Sequence, residues 1–218
     1  MQLVEHFISI NGEGQHAGEL ALFLRFAGCN LQCDWCDTAW ANAPDVPFVQ
    51  ADLQMLLEIA RAASGEGVRN VTLTGGEPLL QKESHVLIRA LCSLGMRVEI
   101  ETNGSIPLTP FLGEARAVFT MDYKLPSSGM EPRMCTENIP LLRAQDTLKF
   151  VCASGEDLAR AAWVLEAFRP ACAVYLSPVF GRIEPAALVD FMKVRNLGNV
   201  RLQLQLHKFI WDPEKRGV

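Results

Sequence analysis

The sequence lacks the features that mark several large classes of protein. Its 20 Lys and Arg residues are outnumbered by 25 Asp and Glu residues, so the net charge is −5. A chain of this charge has no general electrostatic attraction to nucleic acid, which argues against a basic DNA-binding domain. Its best apolar run, residues 21–24, ends at Arg25, far short of the roughly 18 residues that a membrane span needs. The N-terminus contains Glu5 and His6 and no basic stretch, so it is not a secretory signal. We therefore expect a cytoplasmic protein.

Repeats, low-complexity tracts and long linkers are also missing. The length of 218 residues suits one domain over residues 1–218, and it is large enough to bury a core without disulfide staples. Hydrophobic residues make up 49% and charged residues 21%, which excludes a disordered or fibrous chain.

Cysteine is the residue type with an unusual distribution. Of the 7 cysteines, Cys29, Cys33 and Cys36 lie close together, whereas the other four are scattered. In a reducing compartment such a group indicates metal binding or catalysis. The scattered residues are expected to pack in the core, as free cysteines commonly do; they are Cys92, Cys135, Cys152 and Cys172.

A strand pattern recurs along the chain and predicts an α/β fold with a parallel sheet. The segments are mostly apolar runs, typical of parallel sheets covered on both faces. A full eight-unit barrel needs about 250 residues, so this length favours an incomplete barrel or an open sheet. The predicted strands are residues 20–26, 70–74, 97–101, 117–122, 147–152, 173–177 and 200–205.

Helical patterns lie between several of these strands. One has its apolar face on residues 53–60, and another starts behind a predicted N-cap at Ser84. The pattern of Ser154 followed by Asp157 predicts a capping box, which begins a helix that ends before Pro170. Pro185 suits the first turn of a last helix.

Polar and glycine-rich groups follow most of the strands. In barrels and open α/β sheets the carboxyl ends of the strands hold the active site, so an enzyme is favoured over a set of solvated loops. The groups include Gly28-Cys29-Asn30, residues 74–78 (TGGEP), residues 101–105 (ETNGS), residues 122–128 (DYKLPSS), Ser177-Pro178 and His207-Lys208.

The spacing of Cys29, Cys33 and Cys36 lets three thiolates converge on one metal centre. Structural zinc and ordinary iron–sulfur sites take four protein ligands, and no second CxxC pair or His-x3–5-His motif is present. A three-ligand centre leaves one coordination position open for chemistry. Two other interpretations stay open at this point: a zinc site completed by a distant residue, or three packed thiols.

The Cx3CxxC motif after a strand, with Trp35 before its last cysteine, resembles the radical S-adenosylmethionine superfamily, and the TGGEP segment is similar to that family's second motif. The resemblance implies a [4Fe–4S] cluster whose open iron is chelated by S-adenosylmethionine, which is cleaved to a 5′-deoxyadenosyl radical. Glycines allow close approach to the main chain, and a carboxylate suits the methionine ammonium.

Further segments resemble the narrower 7-carboxy-7-deazaguanine synthase family over nearly the whole chain. They are residues 10–14 (INGEG), 23–30 (FLRFAGCN), 36–38 (CDT), 101–104 (ETNG), 122–128 (DYKLPSS) and 205–208 (QLHK). The likeness implies a shortened (β/α)6-type partial TIM barrel that works as a homodimer and needs Mg²⁺. It implies a lyase of queuosine (7-deazapurine) biosynthesis that contracts 6-carboxy-5,6,7,8-tetrahydropterin to 7-carboxy-7-deazaguanine with loss of ammonia. An external one-electron donor such as flavodoxin is expected.

The resemblance also implies roles for the matching residues. The cluster ligands are Cys29, Cys33 and Cys36, and Thr38 binds the Mg²⁺ that also holds the substrate carboxylate. Residues implied to bind S-adenosylmethionine are Trp35, Cys36, Asp37, Gly75, Gly76, Glu77, Asn103, Tyr123, Lys124 and Ser177. Residues implied to bind the pterin are Ile10, Asn11, Gly12, Glu13, Arg25 and Thr74, with His207 as a candidate.

Two features depart from the family's usual pattern, and two other functions are considered. Asn11 stands where the family usually has Gln, and its shorter amide reaches less far. The tail, residues 212–218, runs past the usual end.

The first alternative function is a glycyl-radical enzyme activase acting on a protein partner. The second is a zinc-stabilised, non-catalytic binding module.

Overall fold

The computed structural model describes residues 1–218, and nine strands form one sheet. The strands are β1 (Gln2–Ile10), β2 (Leu20–Phe26), β3 (Val49–Gln50), β4 (Asn70–Gly75), β5 (Arg97–Thr102), β6 (Ala117–Tyr123), β7 (Thr147–Cys152), β8 (Ala173–Pro178) and β9 (Val200–Leu202). The helices are α1 (Leu53–Gly65), α2 (Ser84–Ser93), α3 (Gly155–Phe168), α4 (Pro185–Val194) and α5 (His207–Ile210). No helix is both long and apolar enough to cross a membrane.

The order of strands is β3-β1-β2-β4-β5-β6-β7-β8-β9. From β2 to β9 every neighbouring pair is parallel, whereas β1 and β3 add an antiparallel edge. The connections from β5 to β6 and from β6 to β7 contain only short 3₁₀ helices. Those two connections therefore lack the α-helix that follows the strand in a regular β/α unit. The predicted α/β fold with a shortened barrel is confirmed.

The predicted bounds of β2 and β7 match the structure, and the other central strands differ by one residue at the end. The predicted last strand is too long: β9 ends at Leu202, because the side chain of Gln203 turns to bond Gly14. The strands β1 and β3 were not predicted. Glu83 rather than Ser84 is the N-cap of α2, whereas Ser154 does cap α3 through the Asp157 N–H.

The two faces of the sheet differ in chemistry, and this corrects the expectation that both are apolar. A single core of 39 buried residues packs the outer face of the sheet against the helices, through side chains such as Leu73, Ile100 and Phe150. The alternate residues of the same strands point to the inner face, since the side-chain period of a strand is two. They include Thr72, Thr74, Glu99, Glu101, Thr120, Asp122, Lys149 and Ser177.

The sheet curls until the segment after β1 meets the segment after β9. The backbone N–H of Gly14 donates to the side chain of Gln203 at 2.9 Å, and that amide donates back to the Gly14 carbonyl at 2.9 Å. Nearby, the N–H of Leu206 donates to the Gly12 carbonyl at 3.2 Å. The open side of the partial barrel is therefore closed by residues of this chain, around a polar interior.

Candidate active site

The cysteine loop follows β2 at the carboxyl edge of the parallel strands. Cys29, Cys33 and Cys36 are partly exposed free thiols. The sulfur of Cys29 accepts hydrogen bonds from the Leu31 N–H and from the Asn103 side-chain amide, each at 3.4 Å. Burial raises the pKa of Cys29 and of Cys33, and the neighbouring thiols also raise that of Cys33. At Cys29 and Cys33 burial therefore favours the neutral thiol, and the positive charge of a bound metal centre would favour the thiolate.

The donor set fits an iron–sulfur cluster better than one metal ion. No group of three Cys, His, Asp or Glu side chains is arranged to hold a single ion. The thiolates of a cubane cluster bind different iron atoms, so they stand farther apart than the ligands of one zinc ion. The three cysteines lie on one loop, and the charges of Cys29 and Cys36 both raise the pKa of Cys33. The three thiols could supply three ligands for a [4Fe–4S] cluster and would leave one iron open for a cofactor.

The TGGEP turn lies directly against the start of the cysteine loop. The Gly76 N–H donates to the Phe26 carbonyl at 3.0 Å, and the Glu77 N–H donates to the Gly28 carbonyl at 2.9 Å. A Cβ at Gly75 would collide with the backbone of Phe26, and one at Gly76 with the carbonyl of Gly28. The structural reason for the two glycines is therefore close contact between backbones, beside the first cluster ligand.

Glu77 is fully buried, and its carboxylate is engaged within the protein. It accepts from the N–H of Leu79 at 3.0 Å, from the N–H of Asn103 at 2.6 Å and from the hydroxyl of Thr102. Burial raises its pKa to about 7, against these hydrogen bonds, which lower it. In this structure Glu77 ties the turn after β4 to the turn after β5. Its implied contact with the cofactor stays a prediction.

Two asparagines flank the cysteine sulfurs. Asn103, implied from sequence, joins Cys29 to Asn30 and accepts from both donors of Ser105. Asn42 was missed: its amide lies 4.0 Å from the Cys36 sulfur, while its Oδ1 is buried with no hydrogen-bond partner. An unpartnered acceptor beside Gly76 suits a ligand donor. It lies in the short 3₁₀ helix Ala39–Asn42, where no strand pattern could have revealed it.

A chain of buried charges runs along the inner face of the sheet. Lys149 pairs with Glu13 at 2.7 Å and with Asp122 at 3.1 Å, and Asp122 pairs with Lys124 at 2.8 Å. Despite burial, these carboxylates hold the pKa of Lys149 well above its usual value. Lys149 is therefore a fixed positive charge. It was missed, although its position two residues after Thr147 follows the inner-face alternation.

The interior of the barrel, which is lined by Thr72, Glu99, Thr120 and Lys149, is here called the polar chamber. The segment after β1, implied to recognise the pterin, forms one wall of it. Ile10 ends β1, and the side chain of Asn11 turns inward, where it donates to Glu99 at 3.3 Å and accepts from Thr72 at 2.7 Å. Both polar groups of Asn11 are thus used within the protein. One oxygen of Glu13, Oε1, is buried without a hydrogen-bond partner.

His207 lies against the same segment, with its ring close enough to Gly12 to leave no room for a Cβ. Burial lowers the pKa of His207, which favours a neutral ring at neutral pH. The structure therefore brings together residues that are far apart in the sequence. Their individual contacts with a substrate stay predictions.

Arg25 and Thr74 are side by side on the inner face, paired across β2 and β4. The Nε of Arg25 bonds Glu5 at 2.8 Å, and its guanidinium lies 5.8 Å from the centre of the Trp40 ring. The pair with Glu5 gives Arg25 the partner that a cation in an apolar strand requires. Its terminal nitrogens are left for a second anion, which suits a substrate carboxylate.

The remaining implied residues surround the cysteine loop. The hydroxyl of Thr38 lies 3.4 Å from the Gly75 carbonyl and 3.6 Å from the Cys36 sulfur. Trp35 donates to Ser127 at 3.3 Å and has the Lys124 ammonium 5.4 Å from its ring centre. Asp37 is exposed and faces Lys208 at 3.8 Å.

Two implied cofactor residues differ in their surroundings. The ring of Tyr123 is in the apolar core, and its hydroxyl donates to Glu131 at 3.1 Å, so only its backbone faces the carboxyl edge. The hydroxyl of Ser177 is completely buried on the inner face and has no partner. An orphaned hydroxyl at the end of β8 is the kind of group that a bound cofactor would satisfy.

This fold and site define a class. A partial barrel with three loop cysteines after a parallel strand and a glycine turn after the next is the arrangement of radical S-adenosylmethionine proteins, and the model of the radical SAM superfamily matches residues 24–121. The fold resembles the crystal structure of QueE from Escherichia coli, with a TM-score of 0.74 and 22% identity over 94% of this chain and 93% of that one. It also resembles SuiB from Streptococcus suis, with a TM-score of 0.61 and 15% identity over 82% of this chain and 47% of that one.

The family within this class follows from curated relatives. The chain is 51% identical to a 7-carboxy-7-deazaguanine synthase of Clostridium acetobutylicum, over 100% of this chain and 99% of the relative. It is 35% identical to that of Chlorobaculum tepidum, over 100% of this chain and 97% of the relative. The chain belongs to the 7-carboxy-7-deazaguanine synthase family. The resemblance read from the motifs is confirmed, and with it the requirement for a [4Fe–4S] cluster and S-adenosylmethionine.

Proposed function

We propose that the chain is a carbon–nitrogen lyase that converts 6-carboxy-5,6,7,8-tetrahydropterin to 7-carboxy-7-deazaguanine and ammonia. The full-length identity of 51% to a curated synthase carries this assignment. Product and ammonia together contain every atom of the substrate, so no net oxidant or reductant is consumed. The protein's task is to hold the substrate in one orientation and to exclude water and side reactions.

The residues that hold the cofactors are those at the cysteine loop. Cys29, Cys33 and Cys36 would bind the cluster, and the unpartnered groups Asn42 Oδ1 and Ser177 Oγ would take hydrogen bonds from S-adenosylmethionine. When bound, the cluster and S-adenosylmethionine supply the 5′-deoxyadenosyl radical that removes a hydrogen atom from the substrate. The polar chamber beside this loop is the place for the substrate.

The charges of the chamber match a carboxylated pterin. The free terminal nitrogens of Arg25 would bind the carboxylate, and the unpartnered Glu13 Oε1 would accept from an N–H of the pterin ring. Lys149 fixes the position of the Glu13 carboxylate through the 2.7 Å ion pair, and the raised pKa of Lys149 keeps its ammonium charged. Thr74 and His207 line the same space, and the backbone at positions 10–13 completes the contact with the ring.

Thr38 is proposed to bind Mg²⁺ together with the substrate carboxylate. A single hydroxyl makes a weak site, but Mg²⁺ commonly keeps water ligands and takes others from a substrate. The position of Thr38 between Gly75 and Cys36 supports this role, since an ion bound to its hydroxyl would lie beside both the cysteine loop and the polar chamber. The ion would orient the carboxylate and polarise it as a Lewis acid.

The expectations that the chain acts as a cytoplasmic homodimer, with a flavodoxin-like one-electron donor, are proposed on the family membership alone. Size-exclusion chromatography with light scattering tests the dimer.

The function is tested by anaerobic reconstitution of the cluster, followed by incubation with the carboxypterin, S-adenosylmethionine, Mg²⁺ and a chemical reductant. We expect 7-carboxy-7-deazaguanine and ammonia in equal amounts, with activity reduced when Mg²⁺ is omitted. A protein with an intact cluster that forms no deazaguanine would contradict the proposal. Hydrogen abstraction from a protein partner would then favour an activase, and one zinc without iron would favour a binding module.

A further inference from the structure

Glu99 is a buried acid at the bottom of the polar chamber. It lies on the inner face of β5 and is 3% exposed. Its Oε1 accepts from the Thr120 hydroxyl at 2.6 Å, and its Oε2 accepts from the Asn11 amide at 3.3 Å. Asn11 in turn accepts from the Thr72 hydroxyl at 2.7 Å. Four side chains, from β4, β5, β6 and the residue that follows β1, thus form one hydrogen-bonded network.

The network supports the segment that follows β1, residues 11–14. Gly14 has a φ of +79°, and a Cβ on it would collide with Oε1 of Glu99. The backbone of this segment therefore rests directly on the carboxyl group. Its other side is fixed by Gln203, which bonds both the N–H and the carbonyl of Gly14 at 2.9 Å. The segment therefore packs against the carboxyl group of Glu99 and is hydrogen-bonded to the side chain of Gln203.

We propose that Glu99 is a positioning residue, which sets the depth of residues 11–14 and hence the place where the pterin ring is recognised. The proposal rests on the proposed function. A carboxyl group has acceptors on both oxygens, so it can hold Thr120 and Asn11 at once and turn the amide oxygen of Asn11 towards Thr72. Since both ends of Asn11 are used in this way, recognition at this position falls to the backbone and to Glu13.

The charged groups facing Glu99 are Glu101 on the same strand, Glu13 in the supported segment and Lys149 on β7. Glu13 and Lys149 are not free to replace Glu99, because they are paired with each other. Loss of Glu99 would leave the donors of Thr120 and Asn11 without partners, and residues 11–14 would no longer be held in one position.

The test uses reconstituted holoenzyme and the carboxypterin. We expect Glu99→Ala to raise KM for the pterin about tenfold, with kcat lowered by no more than about threefold and no change in the affinity for S-adenosylmethionine. The KM of Glu99→Gln for the pterin should stay within about threefold of the wild-type value, because the glutamine amide can bond both Thr120 and a flipped Asn11. Asn11→Ala should raise KM as Glu99→Ala does, and the double variant should be no worse than either.

A second measurement needs no substrate and no activity. Amide hydrogen exchange at residues 11–14 should be faster in Glu99→Ala than in wild type and near normal in Glu99→Gln. Asp52→Ala is the control for general destabilisation, because Asp52 caps α1 on the outer layer through the Met55 N–H at 2.8 Å. It should leave KM and exchange at residues 11–14 unchanged.

The outcomes separate the two proposals. A wild-type holoenzyme that forms no deazaguanine contradicts the function, and hydrogen exchange still tests the positioning role. An active enzyme whose Glu99→Ala variant keeps a wild-type KM and wild-type exchange contradicts the inference. So does a Glu99→Gln variant as impaired as Glu99→Ala. If Glu99→Ala does not fold, Thr72→Val and Asn11→Ala carry the same test.

Discussion

The side-chain amide of Asn103, from the turn after β5, donates a hydrogen bond to the sulfur of Cys29 in the cysteine loop. Hydrogen bonds to cluster sulfurs stabilise the more negative, reduced state and raise the potential. We predict that Asn103→Ala lowers the reduction potential by on the order of 50 mV, the equivalent of about 1 kcal/mol for one electron. A redox titration followed by electron paramagnetic resonance measures it.

The matched control for this prediction is Asn30→Ala. The side chain of Asn30 bonds Asn103 and Ser105 but no cysteine sulfur, so its removal should shift the potential much less. Equal shifts in the two variants would show that the loop as a whole, rather than the hydrogen bond to sulfur, sets the potential.

The pKa of Glu99 makes a prediction about stability. Burial, followed by the charge of Glu101, raises this pKa from 4.5 to about 7. Between those two values the unfolded chain releases the proton and the folded chain keeps it, so the free energy of unfolding falls as pH rises. The free energy of unfolding should therefore fall less in Glu99→Gln than in wild type between about pH 5 and about pH 8, by on the order of 2 kcal/mol.

Urea unfolding of the protein at several pH values measures this difference. Glu77, with a pKa also raised to about 7 by burial, titrates in both proteins, so some pH dependence remains in the variant. Identical pH profiles for wild type and Glu99→Gln would contradict the raised pKa of Glu99.

At the scale of elements, the start of α3 is tied to the active-site edge. Ser154 caps the helix by accepting from the Asp157 N–H at 3.2 Å, while the Asp157 carboxylate accepts from the N–H groups of Ser127 and Ala153 and from the Ser127 hydroxyl. Ser127 also holds Trp35 of the cysteine loop. The cap region of α3 thus supports the loop beside the cluster.

We predict that Ser154→Ala costs about 1 kcal/mol of stability, an ordinary cap. Asp157→Ala should cost about 3 kcal/mol, because it leaves buried donors unpaired. Asp157→Ala alone should also lower the iron content after reconstitution. Urea unfolding and iron analysis measure both effects, and equal costs for the two variants would contradict this account.

Element prediction succeeded where local patterns and tertiary packing agree. The strands β2 and β7 and the cap of α3 follow from apolar runs and a capping signal. The prediction for β9 was too long, because Gln203 leaves the strand to bond Gly14, a residue 189 positions away. A local sequence pattern contains no information about such a contact. The short strand β3 exists only because β1 lies beside it.

On the scale of the whole molecule, Gln203 closes the partial barrel. It makes two hydrogen bonds to the backbone of Gly14, each 2.9 Å long. Gln203→Leu should lower the free energy of unfolding by about 2–4 kcal/mol, since it leaves a buried N–H and a buried carbonyl unpaired. Hydrogen exchange should rise at residues 11–14 and 203–207 together. Faster exchange in only one segment would contradict closure by this contact.

The polar chamber is also a property of the whole molecule. The inner-face residues alternate with core residues in every central strand, and this alternation is present in the sequence at Thr72, Glu99, Thr120 and Lys149. It was not recognised because the apolar half of each strand dominates a short window. Only the curvature of the sheet brings these side chains around one space.

The sequence by itself determined the class of fold, the cysteine motif, the glycine turn and the family, because these depend on local order and spacing along the chain. The tertiary structure decided which groups meet: Asn11 with Glu99, Lys149 with Glu13 and Asp122, and Gln203 with Gly14. These contacts join residues 88, 136 and 189 positions apart in three of the pairs. Spacing in a sequence carries no information on such distances, since they are set by how the sheet curls and closes.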